Sequence, residues 1–179
     1  MERGQHGSKS WKDNIGTFIA ITTVILAVCA TLAAFKAAGY GNKMVLMQSQ
    51  ASDQWAYYQA KSIKETTYQV QRDAMALVAQ EAGKAEQYKS KVAEYDKEIA
   101  RYKQEKKEIT DEAKRLEKDR DMAQYFNGKF GQALIFLQIG ILLSSLASIN
   151  KVYLYWYMGL VAGGVGIVMF LYTFASSIV

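Results

Sequence analysis

Proline is absent from this 179-residue chain, so no helix in it has an obligatory break, and only glycine and asparagine are left to punctuate one. Cysteine occurs once, as Cys29, which excludes an internal disulfide and a thiolate cluster. Histidine also occurs once, as His6 in a Gly/Ser-rich N-terminal stretch. That argues against histidine acid–base chemistry and against a multi-histidine metal site. An excess of one charge sign is missing as well. The formal net charge is +5, but acids and bases nearly cancel between residues 84 and 121. A groove for nucleic acid needs its bases concentrated on one face, so no nucleic-acid partner is expected. There is no glycine-rich phosphate loop, and no nucleophile has an apparent general base. The carboxylates recur at helical spacing beside Lys and Arg, as on a solvated surface. The chain reads as a non-enzyme without cofactor or metal.

Charge is missing altogether from three stretches, residues 14–35, 130–149 and 152–179. About 20 helical residues cross a bilayer core of about 30 Å, so 14–35, 130–149 and 152–175 are expected as transmembrane helices, after an N-terminal tail of residues 1–13. The first is longer than the core of a secretion signal and runs into Lys36, which favours an uncleaved anchor. Aromatics mark the span ends at Trp11, Tyr125, Phe126, Phe130, Tyr153, Tyr155, Trp156 and Tyr157, where amphipathic rings meet headgroups. Asn150-Lys151 is the only polar punctuation between the last two spans. Arg3, Lys9, Lys12 and Lys151 share one side, which places the N-terminus in the cytoplasm and the insert across the membrane, although Lys36 and Lys43 pull the other way. The expected location is the inner or plasma membrane, crossed more than once.

Residues 36–129 hold nearly all the charge. From Tyr88 onward a 4–3 repeat runs through Val92, Tyr95, Ile99, Tyr102, Lys106, Ile109, Ala113, Leu116, Arg120 and Ala123, apolar or aromatic except at Lys106 and Arg120. That is the seam of a coiled coil. A weaker seam of smaller residues precedes it at Ala56, Ala60, Ile63, Thr67, Val70, Ala74 and Leu77, and the two frames do not join in phase. Span one leaves and span two enters the same membrane face, so the chain must return. Gly39-Tyr40-Gly41 and Asn127-Gly128 are expected to break the helix at the base, with the turn at Gly83–Lys84. The fold class is therefore all-α: three transmembrane helices, with a long antiparallel helical (coiled-coil) hairpin inserted between helices one and two. Its arms take in about residues 42–82 and 84–126. The first arm is poor in charge, which suggests that its back is covered by another subunit.

The least ordinary stretch is Asp53-Gln54-Trp55-Ala56-Tyr57-Tyr58-Gln59-Ala60-Lys61-Ser62-Ile63-Lys64. With the N-terminal anchor, the charged helix ending Leu116-Glu117-Lys118-Asp119-Arg120-Asp121 and the terminal apolar hairpin, it resembles a prokaryotic membrane-protein family known only as domain of unknown function 4337. The resemblance covers nearly the whole chain and implies an architecture, not an activity. Read from the residues, Trp55, Tyr57, Tyr58, Gln59 and Lys61 are candidates for a partner or subunit interface, or for packing within the hairpin. A turn at residues 83–84 sets Asp53 against Lys114 or Arg115, with the Arg115 cation over Trp55. Gly159 and Gly163 form a G-x-x-x-G pattern suited to close helix approach in the third span. Gln, Ser and Thr on the first two spans read as interhelical glue, and no span carries an ionisable side chain.

The expected function is that of a membrane scaffold or interaction protein, self-assembling as a homo-oligomer through its hairpin. Its partners are the lipid bilayer, further copies of itself and an unidentified protein. The alternative is an oligomeric channel or transport accessory subunit, which would need a continuous polar path across the bilayer.

Overall fold

The computed structural model describes residues 6–81 and 85–178. They form three helices: α1 (His6–Glu81), α2 (Ala85–Asn150) and α3 (Tyr153–Ser176). No strand occurs among the described residues. All three helices are long and apolar enough to cross a membrane. The chain divides into two compact units, one of Met1–Lys43 with Met122–Val179 and one of Met44–Asp121. The turn expected at Gly83–Lys84 lies outside the described residues.

Neither predicted helix break occurs. α1 continues through Gly39-Tyr40-Gly41, and α2 continues through Asn127-Gly128. A glycine inside a helix costs about 1 kcal/mol relative to alanine, which weakens a helix without ending it when every neighbouring N–H can still donate. Gly41 has a different task. The Asn127 amide donates to the Ala37 carbonyl at 2.7 Å, and a methyl group on Gly41 would stand 3.1 Å from the same amide nitrogen. The Gly41–Asn127 pair is thus a contact between α1 and α2. Nothing lies close to Gly39 or Gly128, and their presence has no steric explanation.

The core of the first unit gathers Leu26, Ala30 and Ala33 of α1, Phe130, Ala133 and Leu137 of α2, and Phe170 of α3. Around it the helices approach closely through glycine. A methyl on Gly140 would stand 2.9 Å from both the Gly159 carbonyl oxygen and Gly163 Cα. One on Gly163 would meet Leu26 Cδ2 at 2.6 Å. The predicted Gly159/Gly163 pattern therefore contacts both α2 and α1 within the chain. Span hydroxyls mostly serve their own helix: Thr22, Thr23, Thr31 and Ser145 donate to carbonyls three or four residues earlier. The Trp156 indole N–H donates to Thr22 Oγ1 at 3.3 Å and ties α3 to α1. α2 ends at Asn150, and Lys151 turns the chain in the left-handed region with φ 53°.

In the second unit the contacts fall in opposite order along the two helices. Gln48 meets Arg120, Trp55 meets Glu117, Glu65 meets Lys106 and Arg72 meets Asp96. The positions predicted as a seam on α2 are turned inward. Ile99, Tyr102, Ile109, Ala113, Leu116 and Ala123 are buried, and Tyr88, Val92, Tyr95, Lys106 and Arg120 are half-buried. Those predicted on α1 are not. Ile63, Val70 and Leu77 are 68%, 62% and 63% exposed, and Ala56, Ala60, Thr67 and Ala74 are exposed with them. α1 instead turns inward a second stripe, Ala51, Trp55, Tyr58, Ser62, Glu65, Tyr68, Arg72, Met75 and Ala79, all buried or half-buried. Its aromatic rings and charged groups find partners on α2 that the aliphatic stripe could not.

Three substitutions test the packing and the turn by thermal unfolding in detergent. Gly140→Ala is expected to destabilise by about 1–3 kcal/mol, because its methyl meets backbone atoms. Gly163→Ala is expected to cost less, because the Leu26 tip can move aside. Lys151→Gly is expected to stabilise by about 0.5–1 kcal/mol, since glycine removes the left-handed penalty.

Candidate functional site

The conspicuous polar feature of the second unit is a ladder of contacts between α1 and α2, along and beside the inward stripe and the seam. At one rung the Trp55 indole N–H donates to Glu117 Oε1 at 2.9 Å, and its ring meets Tyr58 edge-on at 5.7 Å. At the next, Lys106 pairs with Glu65 at 2.7 Å and lies 5.1 Å from the centre of the Tyr58 ring. Gln69 donates to the other Glu65 oxygen at 3.0 Å, so this buried carboxylate is held on both sides. Beside it Lys61 pairs with Glu105 at 2.6 Å and sits over Tyr57 and Tyr102 at 5.0 and 5.4 Å. Tyr68 packs between Tyr95 and Tyr102 at 5.8 and 5.7 Å. Arg72 reaches Asp96 at 3.2 Å.

The electrostatics suit positioning. The Glu105 carboxylate, followed by the Tyr57 hydroxyl, raises the Lys61 ammonium above its ordinary value. Lys61 in turn lowers Glu105. Glu65 raises Lys106. A lysine nucleophile needs the opposite shift, toward a free amine near neutral pH, so Lys61 and Lys106 are held as cations.

Of the interface candidates, Trp55, Tyr58 and Lys61 are half-buried against α2, while Tyr57 and Gln59 are exposed on α1. The expected group of Asp53 with Lys114 or Arg115 is not brought together. Arg115 pairs with Glu112 and Asp119 on its own helix, and no hydrogen bond or ion pair among the described residues joins Asp53 to α2. Trp55 accordingly meets Glu117 rather than an Arg115 cation. Glu65, Glu105, Lys106 and Glu117 escaped the sequence reading as site residues. Lys106 carried a signal, since a charge in an apolar seam demands a counter-charge from the facing helix.

A groove beside the ladder is lined wholly by α1, by Tyr58, Gln59, Ser62, Ile63, Thr67 and Val70 among others. It runs along the exposed aliphatic stripe and carries no ionisable group apart from the Tyr58 phenol.

These features define an all-helical protein with membrane-length apolar helices and a second unit held by aromatic and ionic contacts. The chain belongs to the family described as Domain of unknown function (DUF4337), whose profile matches residues 16–176. Neither a curated protein nor a solved structure gives a significant match.

The Lys61–Glu105 pair predicts a pH window. Glu105 is lowered from 4.5, so its contribution is complete above that value and is lost as pH falls through the lower folded-state value. Lys61 is raised from 10.5, so its contribution is complete below that value and is lost as pH rises through the higher one. The stability gap between the natural chain and Glu105→Gln, measured by thermal unfolding, should be flat between these limits and close on either side.

Proposed function

We propose that this chain is a non-enzymatic membrane scaffold that self-assembles through an extramembrane hairpin. The three apolar helical segments anchor it in the cell membrane. The antiparallel segments of the second unit form a coiled-coil hairpin inserted between the first two anchors. The basic residues Arg3, Lys9, Lys12 and Lys151 favour a cytoplasmic N-terminus, with the hairpin on the opposite side.

The observation that carries the reading is the aliphatic stripe of α1. Ile63, Val70 and Leu77 remain 68%, 62% and 63% exposed at seven-residue spacing, with Ala60, Thr67 and Ala74 between them. A 3.5-residue repeat is what another helix recognises, and water gains nothing from it. The positions flanking the stripe include Tyr57, Gln59, Thr66, Gln71 and Val78, with Lys64 and Asp73 the only charges on the flanking rows. No row of like charge opposes a second copy. Copies inserted in one bilayer with one orientation carry the stripe in the same direction. It therefore pairs in parallel, residue against the same residue, through close contacts at the alanines.

The channel reading has less support. The hydroxyls of Thr23, Thr31 and Ser145 bond to their own helices, which suits lipid or packed surroundings better than a wet path.

Light scattering in lipid nanodiscs tests the reading. The natural chain is expected to run as an oligomer. Val70→Asp should shift it toward the monomer at unchanged helix content, since substitution of an exposed side chain moves folding by about 0.5 kcal/mol or less. In a Cys29→Ala background, Ile63→Cys should give a disulfide-linked dimer. A monomeric natural chain sinks the proposal.

A further inference from the structure

A cavity of about 220 Å³ opens in the first unit between α2 and α3, lined by Tyr125, Phe126, Lys129, Met169, Tyr172 and Thr173. We propose that it binds an anionic phosphate group, supplied by the headgroup of an anionic phospholipid. At about 30 Å³ for each water-sized group, the space holds a phosphate with its ester linkage.

The polar side chains that line it can all donate hydrogen bonds. Lys129 supplies an ammonium, Tyr125 and Tyr172 supply exposed phenols, and Thr173 supplies a hydroxyl. Ser176 also borders the cavity, and its hydroxyl is already spent on the Tyr172 carbonyl at 3.0 Å. No carboxylate is among the lining residues.

The absence of acid extends through residues 14–43 and 122–179 of the unit. Those stretches hold Lys36, Lys43, Lys129 and Lys151. Among the described residues, half-buried Lys129 has only the Tyr125 ring, 5.5 Å away, and Lys36 has only the Phe174 ring, at 4.9 Å. A ring face attracts a cation but does not accept its hydrogen bonds as an oxygen does, and a partly desolvated ammonium needs an acceptor. Among the described residues no carboxylate pairs with either lysine, and on this proposal the counter-charge comes from the lipid.

Thr173 is the second observation. It is 5% exposed, yet its hydroxyl makes no hydrogen bond among the described residues. Thr22, Thr23, Thr31, Ser145 and Ser176 all spend theirs on a carbonyl of their own helix. Thr173 keeps a spare donor at the cavity that also holds Lys129. Lys129 is moreover the last charge before the uncharged stretch 130–149, and Thr173 closes the stretch 152–175. In a bilayer that is the depth of lipid phosphates.

The test uses the full chain in nanodiscs of phosphatidylcholine containing a minority of phosphatidylglycerol, followed by native mass spectrometry of the lipid retained. The natural chain is expected to retain phosphatidylglycerol in preference. Lys129→Gln should lower that retention about ten-fold, the worth of a charged hydrogen bond. Thr173→Val should lower it as well, and decides the matter if Lys129→Gln fails to fold by circular dichroism. Lys151→Gln, outside the cavity, should lower it far less than Lys129→Gln. Displacement by millimolar glycerol phosphate assigns the site to a soluble phosphate, and failure to displace assigns it to the lipid. Equal retention of both lipids, or an equal loss in Lys151→Gln, overturns the proposal. The outcome is independent of self-assembly, because retention is read for each chain whatever the size of the particle.

Discussion

Lys106 stands in the apolar seam of α2, and a charge in that position needs its counter-charge at the same level of the facing helix. Glu65 supplies it at 2.7 Å, and Gln69 fills the remaining oxygen at 3.0 Å. Taking two charges out of water costs several kcal/mol for each ion, so the pair adds little net stability over an apolar replacement. Its effect is selective. Turning α1 so that the aliphatic stripe faced inward, a rotation of about 140° for a five-residue offset, would strand Lys106 and expose Glu65. Leaving one member of such a pair alone costs about 3–5 kcal/mol. The same rotation would return Trp55, Tyr58 and Tyr68 to water, and each such ring buries about 150–250 Å². At about 25 cal/mol per Å², that outweighs the about 1.5–3 kcal/mol recovered from each of Ile63, Val70 and Leu77. The inward face of α1 is decided by rings and ions together.

That choice leaves a surplus. α1 carries two stripes with the same 3.5-residue period, and one facing helix can cover only one of them. The covered stripe is aromatic and polar, with contacts specific to α2. The uncovered stripe is aliphatic and small, exposed among the described residues and with hardly any charge beside it. Specific contacts inside and generic ones outside is the division expected of a helix that folds on one side and associates on the other.

What the sequence makes legible follows from which pattern has a single solution. The three uncharged stretches appear as apolar helical segments because hydropathy over some twenty residues has no competing reading. The α2 seam is equally plain, since charges fill almost every other position. The α1 seam was misread because hydrophobicity alone ranks Ile63, Val70 and Leu77 above a stripe containing Glu65 and Arg72. The signal that would have corrected it lies on the other helix, at Lys106. The glycine breaks failed for a related reason. Gly41 records a close approach by Asn127, ninety residues away in sequence from the carbonyl that its amide reaches, and local pattern cannot distinguish such a contact from a helix end. The Gly159/Gly163 spacing is readable, and its partners Gly140 and Ser144 share the same four-residue spacing on the facing helix, a weaker signal because only one of the two is glycine.

The two units handle charge in opposite ways. In the second, Lys61, Arg72, Lys91, Arg101, Lys106, Arg115 and Arg120 each have a carboxylate within 4 Å. Acids and bases balance across residues 44–121, and little of that surface would draw a charged partner from a distance. The first unit has lysines and, from residue 14 onward, no acid in its sequence. Cations near a low-dielectric slab are stabilised by anions at its surface, and each basic residue close to an anionic leaflet contributes about 1 kcal/mol to that attraction. The division follows the chemistry each unit would meet. Ion pairs that close on themselves suit the association through aliphatic contact proposed for the second unit. Unbalanced lysines at the ends of uncharged helices suit a surface where phosphate is always at hand.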